Sequence, residues 1–426
     1  MNSARKAAVA ALCEVQRSGS YSNLASSSAI SSGKLSGKDA SLATMLVYGV
    51  LQRKLTLDSV IDKYSTGNIG RIHPFVLSVL RTGLYQILFM DKVPMFAAVN
   101  ESVILIRQSK QRFATGFVNA VLRKASADKE NLLEMIKKSP DPCIKFSCPK
   151  EIYDSLLCDC GKDVIDQFLS ESLKSPKTYF RVNNYLADEN ELISSLLHAG
   201  IDVTKDTPDG AFYTDNAGVL LSSNEFKSGK FFVQDKASQT AVCALDIRPG
   251  MNVLDVCAAP GGKSFSAAQY LDGKGSIVSC DIYEKRTGLI ISGAERLSLN
   301  CITARVSDAT VFDPSLPLFD RVICDVPCSG LGVIRRKPEI KYRDVSEYDD
   351  LPELQLKILK NSVRYLKPDG KIMYSTCTVF NRENRAVINE FLKDERFKIV
   401  SERLLMPQTD ATDGFYFCIM ERDNCE

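Results

Sequence analysis

Across the first 124 residues, apolar positions recur at helical spacing, at 7–15, 42–51, 76–90, 99–106 and 117–122, and strand-like alternation is nearly absent. This period marks one buried face per helix and predicts an all-helical bundle. Breaks fall at 18–37, 65–74 and 91–94, where Ser, Gly and Pro cluster. From 126 to 150 the chain turns charged and then proline-punctuated, at Pro140, Pro142 and Pro149, as a linker would. Residues 151–230 mix a helical stretch at 191–198 with extended ones at 178–183 and 211–213, which reads as a small α/β module. After Gln234, short apolar runs at 252–256, 276–280, 302–306, 321–324 and 371–375 alternate with helical segments at 264–271, 285–299, 354–366 and 383–391. That alternation predicts a doubly wound, mostly parallel, Rossmann-like α/β sheet. The domains expected are 1–130, all-α; 140–230, connecting; and 231–426, built on the sheet.

Composition narrows the function. With 45% apolar and 25% charged residues in 426, the chain is globular and long enough for more than one core. It opens on no basic-then-apolar leader, and no apolar run nears the roughly 20 residues that span a bilayer, so a cytoplasmic protein is expected. Fourteen cysteines in that setting are expected as reduced thiols. No C-x-x-C pair exists among Cys143, Cys148, Cys158 and Cys160, so no metal is expected. The only histidines, His73 and His198, lie far in sequence from every glycine-rich or cysteine-bearing turn, which removes histidine triads. The net charge of +2 hides an asymmetry: residues 1–150 hold 21 basic against 10 acidic residues. A basic third joined to an acidic remainder suits either a polyanion partner or a solvated helical surface.

The sharpest local signal is Val253-Leu254-Asp255-Val256-Cys257-Ala258-Ala259-Pro260-Gly261-Gly262-Lys263-Ser264, a strand that breaks into small residues and then opens a helix. Small residues let a ligand approach the backbone beyond a strand's carboxyl end. Adjacent Gly261 and Gly262 match neither the dinucleotide pattern nor a Walker loop. Asp281 closes the next strand, where an acid accepts bonds from ribose hydroxyls, and Asp308 follows the third, where it suits an adenine amine. Either aspartate alone is more often a helix cap or a solvated turn; in strand order behind that loop they imply adenosine. The fourth and fifth strands run into Asp325-Val326-Pro327-Cys328-Ser329-Gly330 and Tyr374-Ser375-Thr376-Cys377-Thr378. If these strands are neighbours, Cys328 and Cys377 emerge side by side at the ligand rim.

These segments, with Gln234-Asp235-Lys236-Ala237-Ser238 and Asp413-Gly414-Phe415-Tyr416, resemble the RNA 5-methylcytosine methyltransferases. Among them the chain is most similar to the bacterial 16S rRNA (cytosine-C5) methyltransferases of the RsmB/Sun family. Leu46-Val47-Tyr48-Gly49-Val50-Leu51, Ala98-Val99-Asn100-Glu101 and Phe117-Val118-Asn119-Ala120-Val121-Leu122-Arg123-Lys124 resemble the NusB-like, RNA-binding domain in front. The resemblance implies S-adenosylmethionine as cofactor, held by Cys257, Ala258, Ala259, Pro260, Gly261, Gly262, Lys263, Asp281, Arg286, Asp308 and Asp325. It implies Cys377 as nucleophile, Cys328 for release, and Asp325 on the cytosine N3/N4 edge. The partner implied is RNA, 16S rRNA above all, with no membrane and a monomeric chain.

Carbon 5 of cytosine takes a methyl only after a nucleophile adds to carbon 6, and a thiolate suits that addition. Lys263 is a candidate for stabilising it. Arg335, Arg336, Lys337, Lys341 and Arg343 follow the Cys328 turn and are candidate phosphate holders. Tyr342 stands where the family often has tryptophan. A transfer-RNA cytosine methyltransferase and a catalytically silent RNA-binding or antitermination factor are the competing readings.

Overall fold

The computed structural model describes residues 3–19, 22–65 and 67–423. The chain forms two compact units, residues 1–174 with 334–343, and residues 175–333 with 344–426.

The first unit is helical. Its helices are α1 (Ala4–Ser18), α2 (Ser22–Ser32), α3 (Gly37–Gln52), α4 (Lys54–Tyr64), α5 (Pro74–Phe89), α6 (Met95–Arg107), α7 (Thr115–Ala127), α8 (Lys129–Lys138), α9 (Pro142–Lys145), α10 (Lys150–Cys160) and α11 (Lys162–Ser172). Ser3 caps α1 by accepting from the Lys6 N–H, and Gly19 ends it in the left-handed region. The unit is organised around α5, whose side chains from Val76 to Leu88 are nearly all buried. Gly83 makes this possible: a Cβ there would lie 2.8 Å from both Leu122 and Ser102, so α6 and α7 press directly on the α5 backbone.

Two expectations fail here. The serine-rich break contains α2, whose Ala25 and Ser26 are buried, because packing overrides the weak propensity of serine. The expected linker at 126–150 folds into α8 and α9, and α8 plants Leu132 and Ile136 in the same core.

In the second unit, β1 (Thr178–Val182), β2 (Thr204–Asp206), β3 (Ala211–Thr214) and β4 (Phe231–Val233) make an antiparallel sheet in the order β2-β3-β1-β4. The larger sheet holds β5 (Asn252–Asp255), β6 (Ser276–Asp281), β7 (Ile302–Val306), β8 (Phe319–Asp325), β9 (Leu366–Thr376), β10 (Phe397–Leu405) and β11 (Phe415–Arg422), ordered β10-β11-β9-β8-β5-β6-β7. All pairs from β9 to β7 are parallel, and a C-terminal antiparallel hairpin is added at the other edge. Successive residues alternate between two cores, Val253 on one face and Leu254 on the other, as a sheet covered on both sides requires. The chain winds outward from β5 to β7 and then returns to β8 on the far side of β5. The crevice between the carboxyl ends of β5 and β8 is therefore the topological switch point, where open α/β sheets bind ligands.

Candidate active site

Every strand around that switch point ends on a residue with chemistry. β5 ends at Asp255, β6 at Asp281, β8 at Asp325, and β9 runs into Cys377. β11 runs antiparallel to β9 with Tyr416 opposite Thr376, which puts Gly414 and Phe415 at the same rim. The approach is close: a Cβ on Gly332 would lie 1.9 Å from the Gly414 carbonyl oxygen and 2.8 Å from that of Cys377. Only glycine fits there, and the Gly332 N–H donates to the Cys377 carbonyl at 2.9 Å.

The loop after β5 is tied to its surroundings. The Gln234 amide donates to the Gly262 carbonyl at 2.8 Å and accepts from Ser266 at 2.5 Å. Gly261 sits at φ +109° and would press a Cβ into the Phe265 ring. Behind it, Asp255 is wholly buried; its Oδ2 accepts from Ser264 at 2.7 Å, while Oδ1 has no hydrogen-bond partner among the described residues. Burial pushes this carboxyl up to about 7 despite the Ser264 hydroxyl.

Arg286 binds loop and strand together, donating to the Ala259 carbonyl at 3.1 Å and lying 3.4 Å from the Asp281 carboxylate. Asp281 itself is buried and receives the Tyr283 N–H at 3.1 Å. Beside it, Ile282 and Tyr283 are 52% and 61% exposed. Asp308 lies exposed past β7, its Oδ1 accepting from the backbone and hydroxyl of Thr310, which hold the carboxyl below its ordinary range. Ile282 and Tyr283 thus leave apolar surface open beside the Asp281 carboxylate, which a flat ring could cover. Sequence reasoning missed these two; an apolar pair directly after a strand-ending acid was the available signal.

Lys263 carries the loop toward the thiols. Burial disfavours its charge, but the Asp325 carboxylate at 2.6 Å outweighs that and raises the ammonium above its ordinary value. Asp325 accepts from Ser375 at 2.7 Å through its other oxygen. Cys377 lies within electrostatic reach of Lys263. The two expected cysteines meet: their sulfurs are 3.2 Å apart, and the Cys377 N–H points to the Cys328 sulfur at 3.3 Å. The contact with Cys377, together with burial, raises the Cys328 thiol well above its ordinary value.

A buried polar cluster, which sequence reasoning also missed, fixes both cysteine turns. Glu383 is wholly buried and accepts the Ser329 N–H at 2.9 Å and the Gln355 amide at 3.0 Å through Oε2. Its Oε1 has no hydrogen-bond partner among the described residues. Gln355 also donates to the Pro327 carbonyl, and Ser329 to Thr378 at 2.8 Å. Asn384 accepts from Thr376 and donates to the Thr378 carbonyl. Glu383 and Asn384 were read only as the start of a helix, since nothing local in sequence marks a carboxylate whose partner lies 54 positions away or an amide that closes the neighbouring turn.

The phosphate-holding expectation fails for Lys341. Its ammonium is buried within the helical unit, donating to the Gln52 carbonyl at 2.9 Å, and burial lowers it to about 8. Tyr342 donates to the Leu51 carbonyl at 2.7 Å and is fixed by that bond.

A doubly wound sheet with a donor loop at its switch point, acids on consecutive strands and paired thiols beside them defines an S-adenosylmethionine-dependent methyltransferase. The family model described as 16S rRNA methyltransferase RsmB/F matches residues 242–421, and that described as NusB family matches 2–127. The chain is 33% identical to the probable ribosomal RNA small subunit methyltransferase B of Bacillus subtilis, with 99% of each chain covered. It is 30% identical to the ribosomal RNA small subunit methyltransferase B of Pseudomonas syringae, over 90% of this chain and 89% of that one. The crystal structure of PH0851 superposes at a TM-score of 0.80, 98% of both chains and 23% identity, a likeness of fold. The chain belongs to the RsmB/F family of 16S rRNA methyltransferases, with a NusB-family domain in front. No helix among the described residues is long and apolar enough to cross a membrane.

Proposed function

We propose that this protein methylates carbon 5 of a cytosine in 16S ribosomal RNA through a covalent adduct between Cys377 and carbon 6 of the base. The observation that carries the reading is the pair of sulfurs 3.2 Å apart at the ends of adjacent parallel strands. Their surroundings divide the labour. Burial and the contact with Cys377 favour the protonated form of Cys328, so we assign it as the donor between the two sulfurs, while the Lys263 ammonium lies nearby. Both effects favour a thiolate at Cys377.

The residues that hold the cofactor are the 257–263 loop, Asp281, Arg286 and Asp308, with Ile282 and Tyr283 against its base. When bound, S-adenosylmethionine supplies an electrophilic methyl carbon to the activated carbon 5. Addition of the Cys377 thiolate to carbon 6 breaks the aromaticity of the ring and makes carbon 5 nucleophilic. Asp325, steadied by Lys263 and Ser375, contacts the N3/N4 edge: it accepts from the N4 amine and orients the ring, and when it carries a proton it donates to N3 as negative charge grows there. The carbon 5 proton then leaves and Cys377 is expelled. Cys328 assists this step; once the Cys377 sulfur is bound to carbon, the Cys328 proton has lost its acceptor and must pass to water before that sulfur takes the carbon 5 proton. The target cytosine has to be unpaired or flipped for carbon 6 to be reached. A ribosomal substrate places the reaction in the cytoplasm.

The test is transfer of a labelled methyl group to unmodified 16S rRNA, with bisulfite sequencing of the product. The reading expects one protected cytosine that disappears with Cys377→Ala. Label confined to transfer RNA, or on an atom other than cytosine carbon 5, overturns it.

A further inference from the structure

The helical unit carries a surface that the catalytic reading does not use. Between Lys92 and Lys124 the sequence holds six basic residues, Lys92, Arg107, Lys110, Arg112, Arg123 and Lys124, against one acid, Glu101. Among the described residues none of the six is in a salt bridge, whereas Asp91 at the edge is paired with Lys129. α6 and α7 pack on each other and on α5. They run antiparallel, because Ser126 near the end of α7 touches Met95 at the start of α6.

Their outer faces are stripes at helical spacing: Phe96, Asn100, Ile104 and Arg107 on α6, and Gly116, Ala120, Arg123 and Lys124 on α7, all exposed. Two aromatic rings stand out from this basic face. Phe96 is 71% exposed on the first turn of α6, and Phe113 is 81% exposed in the turn that joins the two helices. At 1.5 Å per residue, a 13-residue helix separates them by about 20 Å. Gly116 and Ala120 leave the ground between low and open; a Cβ on Gly116 would meet nothing within 4 Å.

A lone exposed apolar side chain needs no explanation, but Phe96 and Phe113, with Met95 and Ile104 also open, share one region with six basic residues that form no salt bridge among the described residues, and that combination suggests a partner. The charge decides which kind. A cationic face repels a basic partner, and unpaired guanidinium and ammonium groups gain most from a phosphate chain. Bare phenylalanines among them supply π-faces for unstacked bases, a combination suited to single-stranded nucleic acid and not to a duplex, whose bases are stacked on each other.

We propose that the outer face of α6 and α7 is a single-stranded RNA platform, on which Phe96 and Phe113 stack bases and Arg107, Lys110, Arg112, Arg123 and Lys124 hold the phosphates. The platform rests on the reading of the protein as an RNA methyltransferase and adds to it a docking site for an unpaired stretch of substrate.

The experiment is fluorescence anisotropy of the full chain with a labelled oligouridine of about 12 nucleotides. A Phe96→Ala and Phe113→Ala double variant should bind at least about fivefold more weakly. An Arg107→Ala and Arg112→Ala double variant should lower the slope of log K against log salt by about 0.7 for each phosphate no longer neutralised. Unchanged melting temperatures verify folding, and a duplex RNA of equal length should be insensitive to the Phe variants. In methyl transfer to 16S rRNA the Phe variant should raise KM and keep kcat. Wild-type affinity for oligouridine in the Phe variant, or no binding by the wild type, overturns the platform; so does a Phe variant that loses only a captured protein. Absence of methyl transfer by the wild type, with the anisotropy differences intact, would instead count against the catalytic reading alone.

Discussion

The two halves of the catalytic rim are built differently. The donor half, from β5 to β7, relies on a continuous loop and on carboxylates at or just past strand ends, Asp255 and Asp281 buried and Asp308 exposed, with exposed apolar neighbours at Ile282 and Tyr283. The cysteine half, from β8 to β9, is fixed from behind by Glu383, Asn384, Gln355, Ser329 and Thr378, all essentially buried and hydrogen-bonded to one another or to the turns. The difference suits the work that the proposed reaction gives each half. A bound nucleoside needs donors and acceptors within hydrogen-bond range. A sulfur that must form and break a bond to carbon needs its position held to fractions of an ångström.

The comparison can be broken most severely at the cysteines. Cys377→Ala should lower methyl transfer on the order of a thousandfold or more while leaving affinity for S-adenosylhomocysteine within about twofold, by calorimetry. Cys328→Ala should reduce turnover by about a hundredfold and accumulate a protein–RNA adduct that survives denaturation, seen as a shifted band on a denaturing gel. If no adduct builds up, Cys328 is confined to holding its turn.

Behind the turns, Glu383→Ala strands the buried Ser329 N–H and should cost about 1–3 kcal/mol in denaturant unfolding. Its kcat should fall with donor affinity intact, and Glu383→Gln, which keeps an acceptor, should recover part of it. On the donor half, Asp281→Ala should weaken S-adenosylhomocysteine by about tenfold and be overcome by saturating donor, the reverse of the cysteine-side pattern. The smallest effect concerns Asp255. Its folded value of about 7 lies above the unfolded value of about 3.9, so the native state binds the proton more tightly. Stability from this group is fully present below about 3.9 and lost as pH rises through about 7. The melting temperature of Asp255→Asn relative to wild type should therefore rise with pH up to about 7 and then level off.

The same contrast explains what was legible in the sequence. The donor loop is contiguous, its strand carries a clear apolar run, and Asp281 and Asp308 sit where strand order puts them. Cys328 and Cys377 were legible because each occupies a short turn after a strand and the fold makes those strands neighbours. Glu383 was not, since a carboxylate at a helix start looks like an ordinary first-turn acid until its partner, 54 residues away, is known. Lys341 misled in the opposite sense: within a run of basic residues it reads as a phosphate holder, yet it lies buried on backbone carbonyls. The helix α2 and the pair α8 and α9 were hidden by serine and proline content, local signals that tertiary packing overrode.

The central claim is a carbon–sulfur bond between Cys377 and carbon 6 of the target cytosine. Substrate RNA carrying fluorine at carbon 5 tests it directly, because fluorine cannot leave as a proton and release is blocked. Incubation with S-adenosylmethionine, digestion and mass spectrometry should find a methylated, fluorinated cytosine nucleotide attached to the peptide containing Cys377. Attachment at Cys328, or free RNA with no adduct although the unfluorinated substrate is methylated, would contradict the account.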